Sequence, residues 1–301
     1  MIKFIQLTVR SIGILILTIT FLSGCASFNK LSDRGVEMGQ VPVTEMPSGE
    51  VLEGKIIWHD LITPDLKAAG AFYEKLFGWQ IDYQGEYAVI RNGDKIIAGM
   101  LQVNPPEDET RDGLWIPSVS VADVDAAKER VLANGGKILI GPVDMGIRGR
   151  AMMISDSEQV DLILLTATGG DPADNKVAVG DWLWDEIWTD DPDKTQKFYQ
   201  AVLGYDDEFL DDKYRILARE DQWRAGIRTT QSDSDSGGYK LWMPVIRVED
   251  PVVSSAKVEE LGGVVWVTPE ESPEGGTALI ADPTGALLMI QLWPNEIKGE
   301  N

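Results

Sequence analysis

The strongest constraint on this chain is that it contains itself twice. Trp58, Phe72, Tyr73 and Gly78 recur 126 residues later as Trp184, Phe198, Tyr199 and Gly204. Farther along, Ala98, Gly99, Trp115, Pro117, Gly135 and Gly136 recur as Ala225, Gly226, Trp242, Pro244, Gly262 and Gly263, with one more residue between the copies. An offset sustained over so many positions means a duplicated domain, and 301 residues is about the length two domains need. Between the copies, "TGGDPADNKVAVGD" (168–181) is rich in Gly, Asp and Ala without apolar periodicity, as a linker is.

Each copy reads as the same succession of elements. A short alternating strand (56–63; 182–189) leads into an amphipathic helix, "TPDLKAAGAFYEKLFGW" or "TDDPDKTQKFYQAVLGY", that stops at Gly78 or Gly204. Asp65 and Asp191 sit at the helix starts, where a carboxylate suits the dipole. Three short strands follow, separated by turn signals. A polar connector, "NPPEDETRDG" or "QSDSDSGG", then introduces a second module of the same kind. The chain therefore reads as four βαβββ modules, paired two by two, an α+β architecture.

The first residues are not counted in that architecture. Lys3 and Arg10 precede an apolar run from about Ile12 to Leu22, the shape of a secretory signal. "LSGC" resembles a bacterial lipobox, which makes 1–24 a signal peptide and Cys25 the acylated first residue of the mature chain. Cys25 is also the one cysteine, so no disulfide is expected. Acyl chains there give membrane anchoring, and Ala26 and Ser27 lack the aspartate that retains lipoproteins at an inner membrane, so a cell-envelope lipoprotein is expected, at the outer membrane where one exists. Residues 25–53 read as a polar tether. A net charge of −22 without a basic stripe argues against nucleic acid as a partner.

"TPDLKAAGAFYEKLFGW", "VADVDAAKERVLANGGKILIGPVDMGIRGRAMMISD" and "DPTGALLMIQLW" resemble the vicinal oxygen chelate superfamily, which includes glyoxalase I, bleomycin-resistance proteins and extradiol dioxygenases. The resemblance implies two tandem domains, 54–168 and 181–296, joined by a linker at 169–180 and followed by a tail at 297–301, each a mixed sheet curled into a cup. It also implies a metal held by His or Gln on a module's first strand, a second His opening the partner module, and glutamates on later strands. The matching positions here hold Trp58 and Trp184, Ile116 and Met243, Ile163 and Met289. His59, the single histidine, is one residue off the ligand position, so strand alternation turns it away from the cup. No cofactor is expected on this ground, and a divalent metal stays open.

The faces turned into the cups carry Trp58, Asp60, Ile62, Ile116, Ser118, Ser120 and Ile163 in the first domain, and Trp184, Glu186, Trp188, Met243, Arg247, Met289 and Gln291 in the second. Trp58, Asp60, Ser118, Trp184, Glu186, Trp188 and Arg247 are the candidate ligand-binding residues: aromatic walls suit planar or cationic molecules, and a carboxylate in an apolar hollow needs a partner. Arg247 is a candidate partner for Glu186. "GIRGR" (146–150) lacks the spacing of a phosphate loop and reads as a turn before a strand. The leading expectation is metal-free binding or sequestration of a small molecule. Two alternatives stay open: a metal-dependent lyase, isomerase or dioxygenase, and a non-catalytic envelope scaffold.

Overall fold

The computed structural model describes residues 41–105, 112–211, 213–230, 239–272 and 276–293. The signal segment, Cys25, the start of the tether, the serine-rich connector at 231–238 and the tail lie outside the described residues.

The first domain runs β1 (Ile56–Thr63), α1 (Leu66–Phe77), β2 (Gln80–Gln84), β3 (Tyr87–Asn92) and β4 (Lys95–Gln102), then β5 (Leu114–Ser120), α2 (Val124–Ala133), β6 (Lys137–Asp144), β7 (Gly149–Ser155) and β8 (Asp161–Ala167). The second repeats it as β9 (Trp182–Thr189), α3 (Pro192–Leu203), β10 (Asp206–Asp211), β11 (Tyr214–Arg219) and β12 (Gln222–Thr229), followed by β13 (Leu241–Val248), α4 (Pro251–Val258), β14 (Val264–Val267), β15 (Thr277–Ala281) and β16 (Leu287–Leu292). Each domain is one eight-stranded sheet, ordered β2-β3-β4-β1-β5-β8-β7-β6 in the first and β10-β11-β12-β9-β13-β16-β15-β14 in the second. At the centre the opening strands of the two modules pair antiparallel, β1 with β5 and β9 with β13. Each opening strand also pairs in parallel with the last strand of its own module.

Local chemistry sets the helix ends as expected. The Asp65 carboxylate accepts from Lys67 N and Ala68 N, and Asp191 accepts from Lys194 N, satisfying amide donors that the first turn leaves open. Gly78 and Gly204 close those helices in the left-handed region, at φ +74° and +69°.

The two sheets meet through their helix-bearing faces, and each main core is shared between domains. Leu66, Ala69, Phe72 and Tyr73 of α1 pack with Val258, Ala278, Ile280 and Leu288 from the last module. Val124, Ala127 and Val131 of α2 pack with Phe198, Tyr199 and Val202 of α3. Reciprocal hydrogen bonds cross this seam: Tyr73 OH donates to Asp282 Oδ2 at 3.0 Å, and its repeat counterpart Tyr199 OH donates to Asp156 Oδ2 at 3.0 Å. Trp115 and Trp242 donate in turn to those two hydroxyls.

His59 belongs to this seam. Alternation does turn it from the cup, but the opposite face is no surface: His59 is 2% exposed, and its Nε2 lies 2.8 Å from Asp185 Oδ1. Asp185 is the repeat counterpart of His59, so the two copies of one position meet each other. The imidazole stacks on Trp182, with ring centroids 3.9 Å apart. Burial pushes the Asp185 carboxyl above its ordinary range, and the neighbouring His59 pulls in the opposite direction. Reading His59 as an outward strand residue therefore held for its direction and failed for its environment, because a convex sheet face that carries helices is covered by the other domain.

The expected tether also stops short of residue 53. Val41 and Val43 are buried, 7% and 4% exposed, within the first domain. Ser48 N and Gly49 N donate to Asp171 O and Gly169 O, so the stretch joins the linker before β1 begins.

Candidate functional site

On the concave side of each sheet, strand register brings the same four residue types together. In the first domain Asp60 of β1 lies opposite Gly99 of β4 and Ile116 of β5, and Trp58 lies opposite Ser118. In the second, Glu186 of β9 lies opposite Gly226 of β12 and Met243 of β13, and Trp184 lies opposite Val245. The cup-facing set read from alternation is therefore on one face in each domain. A tyrosine at the start of β3 or β11 completes the arrangement. Tyr87 OH donates to Asp60 Oδ1 at 3.0 Å, and Tyr214 OH donates to Glu186 Oε1 at 2.9 Å.

The glycines are required by that approach. A Cβ on Gly99 would lie 1.9 Å from Tyr87 OH and 2.4 Å from Asp60 Oδ1; one on Gly226 would lie 2.2 Å from Tyr214 OH. Their recurrence in the sequence thus reports a carboxylate–tyrosine contact over the sheet, a signal visible as a repeat but not interpretable without the third dimension.

The arginine that neutralises each carboxylate comes from a different place in the two domains. In the first it is Arg148, from the turn between β6 and β7. Its Nη1 lies 3.3 Å from Asp60 Oδ2, its Nη2 donates to Tyr87 OH at 2.8 Å, and its Nε donates to Val41 O at 3.1 Å. The guanidinium lies 4.4 Å from the Trp58 ring centroid. Burial opposes the charge on Arg148, but the Tyr87 and Asp60 oxygens outweigh it and the group is held above its ordinary range. "GIRGR" is a turn, as read, yet its central arginine is 2% exposed and reaches the cup floor.

In the second domain the arginine is Arg228, on β12. It clamps Glu186 with both ends of its fork, Nε to Oε2 at 2.6 Å and Nη2 to Oε1 at 2.9 Å. Trp188 Nε1 donates to Glu186 Oε2 at 3.0 Å, and Trp184 Nε1 donates to Tyr214 OH at 2.7 Å. Burial first, and then the Glu186 charge, push the Tyr214 hydroxyl upward, which keeps it a donor. Arg247 is not the partner of Glu186. It pairs in register with Gln291, and its Nη1 donates to Val177 O in the linker. The expectation failed because Arg228 reaches the same carboxylate from the strand directly beside β9.

The two cups also differ in what fills them. Trp58, Tyr87, Leu101, Met145 and Leu165 form a buried cluster that includes Val41 and Val43. Among the described residues, the second cup has a smaller buried floor of Met243, Val245 and Met289, with Trp184, Trp188, Leu241, Leu279 and Leu287 partly buried around it. The arginine shows the same contrast: the Arg228 side chain is 26% exposed and that of Arg148 2%. Ser118 is buried in the first cup, and Ser120 donates to Asp171 Oδ2 at 2.6 Å, fastening the linker.

The donor sets do not fit a divalent metal of the kind the fold implies. Trp58, Ile116, Ile163, Trp184, Met243 and Met289 offer no oxygen or imidazole donor, and Asp60 and Glu186 are committed to arginine. Among the described residues no group of three or more His, Cys, Asp or Glu could hold a metal ion.

Comparisons with known proteins agree on the architecture. Residues 55–164 match the sequence model of the Glyoxalase/Bleomycin resistance protein/Dioxygenase superfamily. A Mycobacterium tuberculosis protein named "Putative glyoxylase CFP32" is 29% identical over 80% of this chain and 95% of its own length. The anthracycline biosynthesis protein DauV of Streptomyces is 26% identical over 77% of this chain and 91% of its own. Among solved structures, the Mn(II)-bound glyoxalase of Novosphingobium aromaticivorans superposes with a TM-score of 0.57 at 15% identity, covering 84% of this chain and 87% of that one. The 2,3-dioxygenase LapB of Pseudomonas sp. KL28 gives 0.55 at 12% identity, covering 82% and 96%. Residues 55–164 thus match the glyoxalase/bleomycin resistance protein/dioxygenase superfamily as a domain, and the second domain repeats the strand order of the first.

Proposed function

We propose that this protein is an envelope lipoprotein that binds a planar small molecule in its second cup without a metal. The observation that carries the reading is the contrast between the cups: the second keeps two tryptophans half-buried beside a neutralised Glu186–Arg228 pair, where the first is filled by its own chain. Half-exposed aromatic walls over an apolar floor, with a few fixed polar groups, are what small-molecule sites are made of. In this reading Trp184 and Trp188 stack on the ligand, Met243 and Met289 supply the polarisable floor, and Tyr214 with the outer edge of Arg228 meets its oxygens. DauV and a second relative, DnrV of Streptomyces peucetius, are both named as anthracycline biosynthesis proteins, which supports a planar polycyclic ligand class.

The test is a tryptophan-fluorescence titration of the full chain in detergent with a neutral anthraquinone and a planar cationic dye. Saturable quenching that weakens in Trp188→Ala supports the reading; no response to either probe, or an unchanged response in the variant, overturns it. Elemental analysis after incubation with zinc, iron, manganese and nickel tests the metal-free part. Stoichiometric metal that is lost in Glu186→Ala would overturn that part and favour glyoxalase-type or dioxygenase chemistry. The anchoring part predicts that Cys25→Ala moves the protein from the membrane fraction to the soluble one.

A further inference from the structure

Residues 41–44 belong to neither βαβββ module, yet they sit in the first cup. Burial alternates along them, with Val41 and Val43 inward and Pro42 and Thr44 half-exposed, and the backbone bends at both valines without joining any described strand. Its grip on the cup is of the kind that a groove has on a peptide. Val41 O accepts from Arg148 Nε, and the two valine side chains enter the cluster around Trp58, Tyr87 and Leu165. The next residues turn outward: 45–50 are exposed, and Met46 is 84% exposed. The strap is then tied to the linker, where Asp171 N donates to Glu50 O and Leu52 N donates to Asp171 Oδ2.

A second observation points to a ligand. Trp58 is 1% exposed, and its indole Nε1 has no hydrogen-bond partner among the described residues. Its counterpart in the second cup, Trp184, donates to Tyr214. A buried donor without an acceptor costs free energy in a structure that otherwise pairs such groups. The strap fills the cup sterically and leaves this donor unmet.

We propose that the first cup is a binding site for a short apolar peptide, occupied in cis by residues 41–44 of the chain itself. The chemistry of the occupant follows from the lining: branched aliphatic side chains at alternate positions, a main-chain carbonyl toward Arg148, and no net charge, since Asp60 already neutralises the guanidinium. A peptide that also presents an acceptor to Trp58 Nε1 gains a hydrogen bond that the strap does not make. The proposal is independent of ligand binding in the second cup.

The test uses the full chain with a protease recognition site placed in the exposed stretch 45–48, and a fluorescent peptide spanning residues 38–44 as the probe. Before cleavage the peptide should not bind. After cleavage it should bind saturably, at least about tenfold tighter than to the uncut chain, and the same peptide carrying Val41→Asp and Val43→Asp should not bind. Trp188→Ala in the second cup should leave this binding unchanged, which separates it from the small-molecule reading. A nicked chain that keeps its circular dichroism but does not bind the peptide would overturn the proposal, as would equal binding to the uncut chain. Unfolding on cleavage would also overturn it, since the strap would then be ordinary core.

Discussion

The two cups are copies of one construction, and they have come apart in how the carboxylate is neutralised. Both place a tryptophan, an acid, a tyrosine and a glycine at equivalent positions. In the first, Arg148 enters from a turn between edge-side strands and is sealed beneath Val41 and Val43. In the second, Arg228 lies on the strand beside Glu186 and stays in contact with solvent. The difference shows that both domains keep the carboxylate–tyrosine unit, and that the exposure of the arginine separates a hollow closed by the chain's own residues 41–44 from one open to solvent. A buried charge needs complete pairing, and around Asp60 and Arg148 the Val41 carbonyl completes it.

The largest expected effect tests that contrast directly. Arg148→Met leaves Asp60 buried with Tyr87 as its remaining partner, and should lower stability by about 3–5 kcal/mol in urea unfolding. Arg228→Met should cost less than half as much, because Glu186 retains Tyr214 and Trp188 as donors and lies closer to water. Equal losses would break the distinction between the closed cup and the open one.

The Tyr73–Asp282 and Tyr199–Asp156 bonds in the seam serve as a control, because there the copies have stayed alike. Burial raises the Asp156 carboxyl to about 6, against the opposing pull of Val160 N, Glu158 N and the Tyr199 hydroxyl. A raised folded pKa means that stability from this group is complete below the unfolded value near 3.8 and is lost as pH climbs through about 6. Asp156→Asn should remove that slope, changing the difference from wild type between pH 4 and pH 7 by about 1–3 kcal/mol. Asp282, also raised by burial, should respond in the same direction. Unfolding midpoints measured across that range check both.

Smaller effects should come from the glycines. Gly99→Ala forces a methyl into the Tyr87–Asp60 contact and should cost about 1–3 kcal/mol. Gly226→Ala should cost less, because Tyr214 is only partly buried and can move outward. Thermal unfolding of the pair tests whether the second cup is the more compliant one. The smallest change should be in Trp188→Ala: a loss of about 1 kcal/mol, roughly fivefold, in affinity for a planar probe, with little change in stability.

Much of the frame was legible in one dimension. The repeated Trp, Phe, Tyr and Gly positions implied two domains, and period-two alternation put Trp58, Asp60, Ser118, Trp184, Glu186 and Trp188 on the concave faces where they are found. Three things were not legible. Arg148 reads only as part of a turn before a strand, since nothing near it in sequence indicates a carboxylate 88 residues away. Val41 and Val43 were hidden in a polar stretch without periodicity. His59 was assigned its correct face, but not the Asp185 and Trp182 side chains that cover it.

What the sequence by itself determined is therefore everything that depends on neighbours along the chain: the strand and helix pattern, the caps at Asp65 and Asp191, the face each strand residue takes, and the duplication. The tertiary structure decided what lies opposite each face. Alternation is a local consequence of backbone geometry and survives in any context. Whether a concave face meets solvent, an arginine or the chain's own valines depends on contacts between residues far apart in sequence, and no local pattern encodes those.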